Sequence, residues 1–219
     1  MAGGEKKRHR GLWIALAVVV VLLIPVAVIA IPILAHQNSG ESGQIEAESA
    51  WPTEVMATGA DGRERLFTVS SPDSAVPLDT SALTPGDRIV VTGAGYDASQ
   101  GIYVAICRIP DDAATKPGPC IGGVPDQAAE EVDEGTVQYA PSNWINDAFA
   151  WKLFGSRSYD NEADGTFTAY LEVGDPVGDG LDCTVDACGI FTRNDHTAMN
   201  DRVQDLYVPV GFAAAASAG

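Results

Sequence analysis

The chain has 219 residues, 46% of them hydrophobic and 20% charged, with 23 glycines, 13 prolines and only 7% aromatics. That balance suits one domain of many turns and short strands with an extra segment, and it excludes a long-helix protein. From His36 onward, nine basic residues face 29 acidic ones. This excludes nucleic-acid binding, whose affinity rests on Lys and Arg neutralising phosphates, and argues against lying flat on an anionic lipid surface.

In chain order, residues 1–11 are basic, with Lys6, Lys7, Arg8 and Arg10. Residues 12–35 (LWIALAVVVVLLIPVAVIAIPILA) carry no charge. A helix of that length spans roughly 36 Å, enough for a bilayer with some tilt. Pro25 and Pro32 predict kinks of a kind that membrane helices tolerate. The basic cluster before the span predicts a cytoplasmic N-terminus and an exported remainder. A cleaved signal peptide is the rival reading, but its apolar run is typically about 7–15 residues and ends in a small-x-small site. Here the run is longer, and bulky Ile33 stands three residues before the end of a cut after Ala35. Residues 36–50 are polar, small and acidic and read as a flexible stalk.

Residues 51–212 form the body. LFTVS (66–70), RIVVTGAGY (88–96), IYVAICRI (102–109), TFTAYLEV (166–173), GIFTR (189–193) and DLYVPV (205–210) alternate or are rich in β-branched residues, with Gly, Pro, Asn and Asp clusters between them. That is the pattern of an all-β sandwich or barrel. Pro209 inside the last strand predicts an edge position or a bulge, because proline cannot donate to the ladder. The tail at 213–219 is low-complexity and reads as frayed.

Residues 121–160 break the strand pattern. An acidic loop is followed by Trp144, Phe149, Trp151, Phe154 and Tyr159. A short helix or an aromatic flap fits their spacing. It either packs as a lid on the body's own core or forms an exposed contact surface for a partner.

Four cysteines, Cys107, Cys120, Cys183 and Cys188, all lie in the exported part, where disulfides persist. Three pairings are open, and pairing of sequence neighbours is the simplest. Zinc is disfavoured, because a four-ligand site lacks histidines: only His196 lies in the body.

No catalytic constellation emerges. His196 has Asp195 beside it in sequence, but neighbours along a strand point opposite ways. Asp160, Glu162, Asp164 and Gly165 resemble the start of a calcium loop, yet Leu171 stands where the closing Glu is needed, so a turn ending in Gly explains them better. Gly93-x-Gly95 is a turn and not a nucleotide fingerprint. Nothing in the spacing selects Tyr96, Tyr103, Tyr139 or His196 as haem ligands. No enzyme activity, metal or cofactor is expected.

VTGAGYDASQGIYVAIC (91–107), Cys120, ADGTFTAYLEV (163–173), LDCTVDACGIFTRND (181–195) and the final YVPVGF together resemble the neocarzinostatin-like apoproteins of actinobacteria, of the macromomycin and actinoxanthin type. The D-C-T-x-x-A-C string is the most specific part. The resemblance implies a seven-stranded immunoglobulin-like sandwich with disulfides Cys107–Cys120 and Cys183–Cys188. It also implies a cleft for an apolar enediyne-like chromophore near Ile109, Gly189, Phe191 and Arg193, with Phe191 partly filling it. The expectation is a single-pass, membrane-anchored, extracytoplasmic binding or assembly module whose partner is an envelope protein or membrane complex. The alternative is a carrier of an apolar small molecule.

Overall fold

The computed structural model describes residues 5–123 and 137–213. The acidic loop at 124–136, the first four residues and the tail from 214 lie outside the described residues. The chain divides into two units, Met1–His36 and Gln37–Gly219.

Glu5–Ala35 is one helix, α1, and its stretch Gly11–Ala35 is long and apolar enough to cross a membrane. At 1.5 Å per residue that stretch measures roughly 38 Å, against a hydrocarbon layer of about 30 Å. Pro25 and Pro32 lie within the helix without ending it.

The second unit is all-β. Its first sheet has the order β1-β2-β3-β6, formed by Glu54–Thr58 (β1), Glu64–Ser70 (β2), Arg88–Ala94 (β3) and Phe167–Glu172 (β6). The second sheet has the order β10-β9-β4-β5, formed by Tyr207–Val210 (β10), Cys188–Asn194 (β9), Ile102–Arg108 (β4) and Ser142–Ile145 (β5). A two-stranded ribbon, Val177–Gly178 (β7) with Leu181–Asp182 (β8), completes the strands, and every pairing is antiparallel. The described strands number ten against the expected seven, eight in the two sheets and two in the ribbon.

Alternation explains the core. On β2, β3 and β6 every second residue is buried: Phe67 and Val69, then Ile89 and Val91, then Phe167, Ala169 and Leu171. From the other sheet Ile102, Val104, Ile106, Ile190 and Val208 meet them. Burying such side chains contributes roughly 1.5–3 kcal/mol each. A polar thread crosses this core. Thr192 Oγ1 lies 3.0 Å from the Tyr96 hydroxyl and donates to the Gln204 carbonyl at 2.7 Å. Gln204 Nε2 in turn donates to Asn194 Oδ1 at 2.9 Å. Every one of these groups is buried, so each bond spares a desolvation cost of about 1–3 kcal/mol.

Both disulfides form between sequence neighbours, Cys107–Cys120 and Cys183–Cys188. Pro209 sits on β10, which among the described residues pairs only with β9, so the edge position read from the sequence holds. The 160–165 segment is the turn expected of it. Gly165 has φ +58°, and a Cβ there would lie 1.8 Å from the Tyr96 carbonyl oxygen.

The stretch 36–50 departs from a free stalk. Asn38 Nδ2 donates to the Asn200 carbonyl, and Asp201 Oδ2 accepts from the Ser39 N–H. Gln44 brackets one residue of β10: its Nε2 donates to the Tyr207 carbonyl at 2.9 Å, and its Oε1 accepts from the Tyr207 N–H at 2.7 Å. The Ile45 N–H donates to the Met56 carbonyl on β1. Small polar residues here find backbone partners far along the chain, which composition cannot reveal.

Candidate functional site

The pleat puts Gly189, Phe191 and Arg193 of β9 on the face of the second sheet turned away from the main core. Register sets Phe191 opposite Ala105 on β4 and opposite Tyr207 on β10. With Cys107 and Cys120 these residues make a small second apolar cluster, flanked by Ile109 and Tyr207. The Phe191 and Tyr207 rings stack at 4.7 Å with 21° between their planes. Gly189 makes room for them, since a Cβ there would come within 3.1 Å of Tyr207 and 3.3 Å of Phe191.

A cleft of about 490 Å³ opens beside this stack, between residues 41–46, the 109–117 loop and the start of β10. That volume lies within the usual range of small-molecule sites, about 300–1,000 Å³. Phe191 therefore forms one wall of the cleft and leaves it open. Of the four cleft residues implied by the resemblance, Ile109 and Phe191 line it. Gly189 lies against both stacked rings, and the Arg193 guanidinium is drawn aside, donating to the Pro117 carbonyl and resting over the Tyr103 ring.

The lining includes one buried charged residue. It is Asp205, with its side chain only 7% exposed. One carboxylate oxygen, Oδ2, accepts from Arg202 Nη1 at 2.7 Å, while Oδ1 is buried without a hydrogen-bond partner. Burial pushes the Asp205 carboxyl up to about 7, against the pull of the Arg202 charge, the Asn194 backbone N–H and the Arg193 charge. The remaining charged residues of the lining, Glu41, Glu46, Asp111 and Asp112, are all acidic. Sequence reading placed Asp205 at the head of the last strand and missed its role. The available signal was the i,i+3 spacing of Arg202 and Asp205 just ahead of the last strand.

The aromatic insertion divides in two. Trp144 lies on β5 and Tyr159 beyond it; both are buried, and neither presents a contact surface. The Trp144 indole N–H donates to Asp195 Oδ2 at 2.8 Å, and the Tyr159 hydroxyl donates to the Gln100 carbonyl at 3.0 Å. Their polar atoms are satisfied inside, which is why these rings turn inward. A short helix, α2 (Phe149–Lys152), follows and carries Phe149 and, just after it, Phe154, exposed by 79% and 62%. Trp151 is half-buried, edge-on to His196 at 4.5 Å. The fold also brings Tyr103 to His196, hydroxyl to Nδ1 at 3.0 Å. Burial, then the Asp195 charge, push the Tyr103 hydroxyl up to about 12, so it is no ready phenolate ligand. Tyr96 is committed to Thr192, and Tyr139 packs edge-on against Tyr170.

A cleft of this size with an aromatic wall can hold a flat molecule. Among the described residues, no three His, Cys, Asp or Glu side chains gather into a metal-binding group.

No protein-family model matches the chain. No solved structure matches it either. The chain is similar to the thiamine biosynthesis protein X of Corynebacterium glutamicum, with 31% identity over 143 residues. The matched region is 65% of this chain, and the chain spans 65% of the length of that relative.

Proposed function

We propose that this chain is a membrane-tethered, non-catalytic binding module that holds a small organic molecule in the cleft beside Phe191. The observation that carries this reading is a cleft of about 490 Å³ walled by the Phe191–Tyr207 stack. The resemblance to the neocarzinostatin-like apoproteins supports the same reading, since their cleft lies on the corresponding strand. The relative's name, which places that protein in thiamine biosynthesis, is in keeping with small-molecule work. The two disulfides and the basic residues in the first turns of α1, ahead of its apolar stretch, support an N-terminus in the cytoplasm and a body on the oxidising side of the cell membrane.

Native mass spectrometry of the full chain, purified in detergent from its own host, tests this. A copurifying organic molecule is expected in the parent protein and absent from Ala113→Trp, which fills the cleft from its lining. Spectra equally empty in both overturn the proposal.

A second reading rests on Phe149, Leu153 and Phe154, three apolar side chains each more than 60% exposed within six residues. They suit docking to an envelope protein or a membrane complex in the same bilayer, where tethering raises the effective concentration. Phe149→Ser with Phe154→Ser should then abolish recovery of that partner and leave the small-molecule adduct in place.

A further inference from the structure

We infer that residues 38–46 form a detachable strap that builds one wall of the cleft beside Phe191. A small molecule is held only while the strap is seated, and its binding in turn keeps the strap down. This rests on the small-molecule reading above and adds how the cleft opens and closes. Three observations carry it. First, Glu41, Ser42, Gly43, Gln44 and Glu46 line one side of the cleft. Without them the cleft keeps only the 109–117 loop and the Phe191–Tyr207 side. Second, the strap is fastened by hydrogen bonds. Besides those of Asn38 and Ser39, the Ala60 N–H donates to the Glu41 carbonyl, the Arg202 N–H to the Gly40 carbonyl, and the Ile45 N–H to the Met56 carbonyl. Ile45, its one large apolar side chain, is 59% exposed. A segment with no buried apolar side chain opens at less cost than the strands beneath it. Third, two adjacent residues set the seat. Gly43 has φ +63°, and a Cβ there would run into the Thr58 carbonyl oxygen, so any other residue lifts the strap from the end of β1. Gln44 grips the backbone of Tyr207, whose ring is half of the stacked wall.

These features act together. Lifting the strap removes one wall of the cleft and releases the backbone that holds the other. The coupling is reciprocal: a molecule that binds only the seated form must favour seating by the same factor. Gly43 and Gln44 are thus positioning residues, which act on a bound molecule through the wall they set.

The test uses the full chain in nanodiscs, with Gly43→Ala and Gln44→Ala as the unseating variants. Gly86→Ala is the control: it has the same backbone strain, at φ +91°, in open space outside the lining. Hydrogen exchange follows the amides of Ile45, Ala60, Arg202 and Tyr207, which share the strap's bonds. In the empty parent they should exchange together, about ten-fold or more faster than Val104 and Ile106 of β4, and faster again in both unseating variants. Binding is read by calorimetry for 2-naphthol, a flat neutral probe, against empty nanodiscs, and by native mass spectrometry for the molecule that copurifies. Occupied parent should exchange the strap amides at least about five-fold more slowly than empty parent. Binding should weaken about ten-fold or more in Gly43→Ala and Gln44→Ala, and change less than about two-fold in Gly86→Ala.

Strap amides that exchange as slowly as β4 in the parent, or that are unchanged in both unseating variants, overturn the strap inference. So does a molecule bound as tightly by Gly43→Ala as by the parent; the small-molecule reading then stands. A parent that binds neither 2-naphthol nor a copurifying molecule overturns both.

Discussion

Replacing Asp205 by asparagine should change how the stability of the body depends on pH. The Asp205 carboxyl is raised by burial from an ordinary 3.8 to about 7 in the folded protein. Below pH 4 the group is protonated whether the chain is folded or not, and it contributes no pH dependence. Between about pH 4 and 7 the unfolded chain sheds this proton first, so stability falls as pH rises. Above about 7 the loss is complete. A difference of about three pKa units corresponds to about 4 kcal/mol at roughly 1.4 kcal/mol per unit. For a body of this size, each kcal/mol moves the melting temperature by about 2–4 °C, so the effect is on the order of 10 °C. Thermal unfolding of the full chain in detergent, followed by near-ultraviolet circular dichroism from pH 4 to 8, reads it. Because the other carboxylates titrate in both proteins, the quantity of interest is parent minus variant. Asp205→Asn should match the parent near pH 4, gain on it up to about pH 7 and level off above that. A difference flat to within about 1 kcal/mol would refute the idea that desolvation governs this carboxyl. A parent that gains on the variant with rising pH would show that the Arg202 ion pair outweighs burial.

Three further outcomes follow from the geometry. Trp144→Phe removes the indole donor from buried Asp195 and should cost about 1–3 kcal/mol in thermal unfolding, whereas Phe149→Ser, at a 79% exposed position, should stay within about 0.5 kcal/mol. Serine replacement of the Cys107–Cys120 pair should destabilise by about 3 kcal/mol and of the Cys183–Cys188 pair by about 2 kcal/mol, following the lengths of the loops they close; equal melting temperatures for the two variants would contradict this. Gly165→Ala combines a positive φ with a Cβ driven into the Tyr96 carbonyl, and should lower stability by more than about 2 kcal/mol in the same melts.

Much of the sandwich is legible in the sequence because one-sided burial writes itself as alternation. ERLFTVS and FTAYLE are half-buried strands, and both read correctly. β5 is different. All four residues of SNWI are buried, so no alternation marks it, and its tryptophan resembles part of a helical face. The inward turn of Trp144 depends on Asp195, 51 residues away, and Tyr159 depends on the Gln100 carbonyl, 59 residues away. No local pattern carries such information. The cleft shows the same split. Phe191 and Ile109 were accessible through resemblance, whereas Asp205 becomes distinctive only once the fold closes its surroundings. The polar stretch before the body misled for a related reason. Its hydrogen-bond partners at Asn200, Asp201 and Tyr207 lie 162 or 163 residues downstream.

That last feature constrains how the body is made and how it can be cut. Gln44 spans the seam between the two edge strands β1 and β10, with its side chain on Tyr207 and its backbone bridged to Ala57. A fragment begun at Trp51 would leave both edges uncovered and ready to recruit a strand from another molecule, so a fragment meant to stay monomeric should start at or before Asn38. The ribosome makes the clasp 163 residues before its catch. Fastening must therefore wait until Tyr207 has been synthesised, and until then the seam stays open to whatever chaperones or oxidants attend the nascent protein.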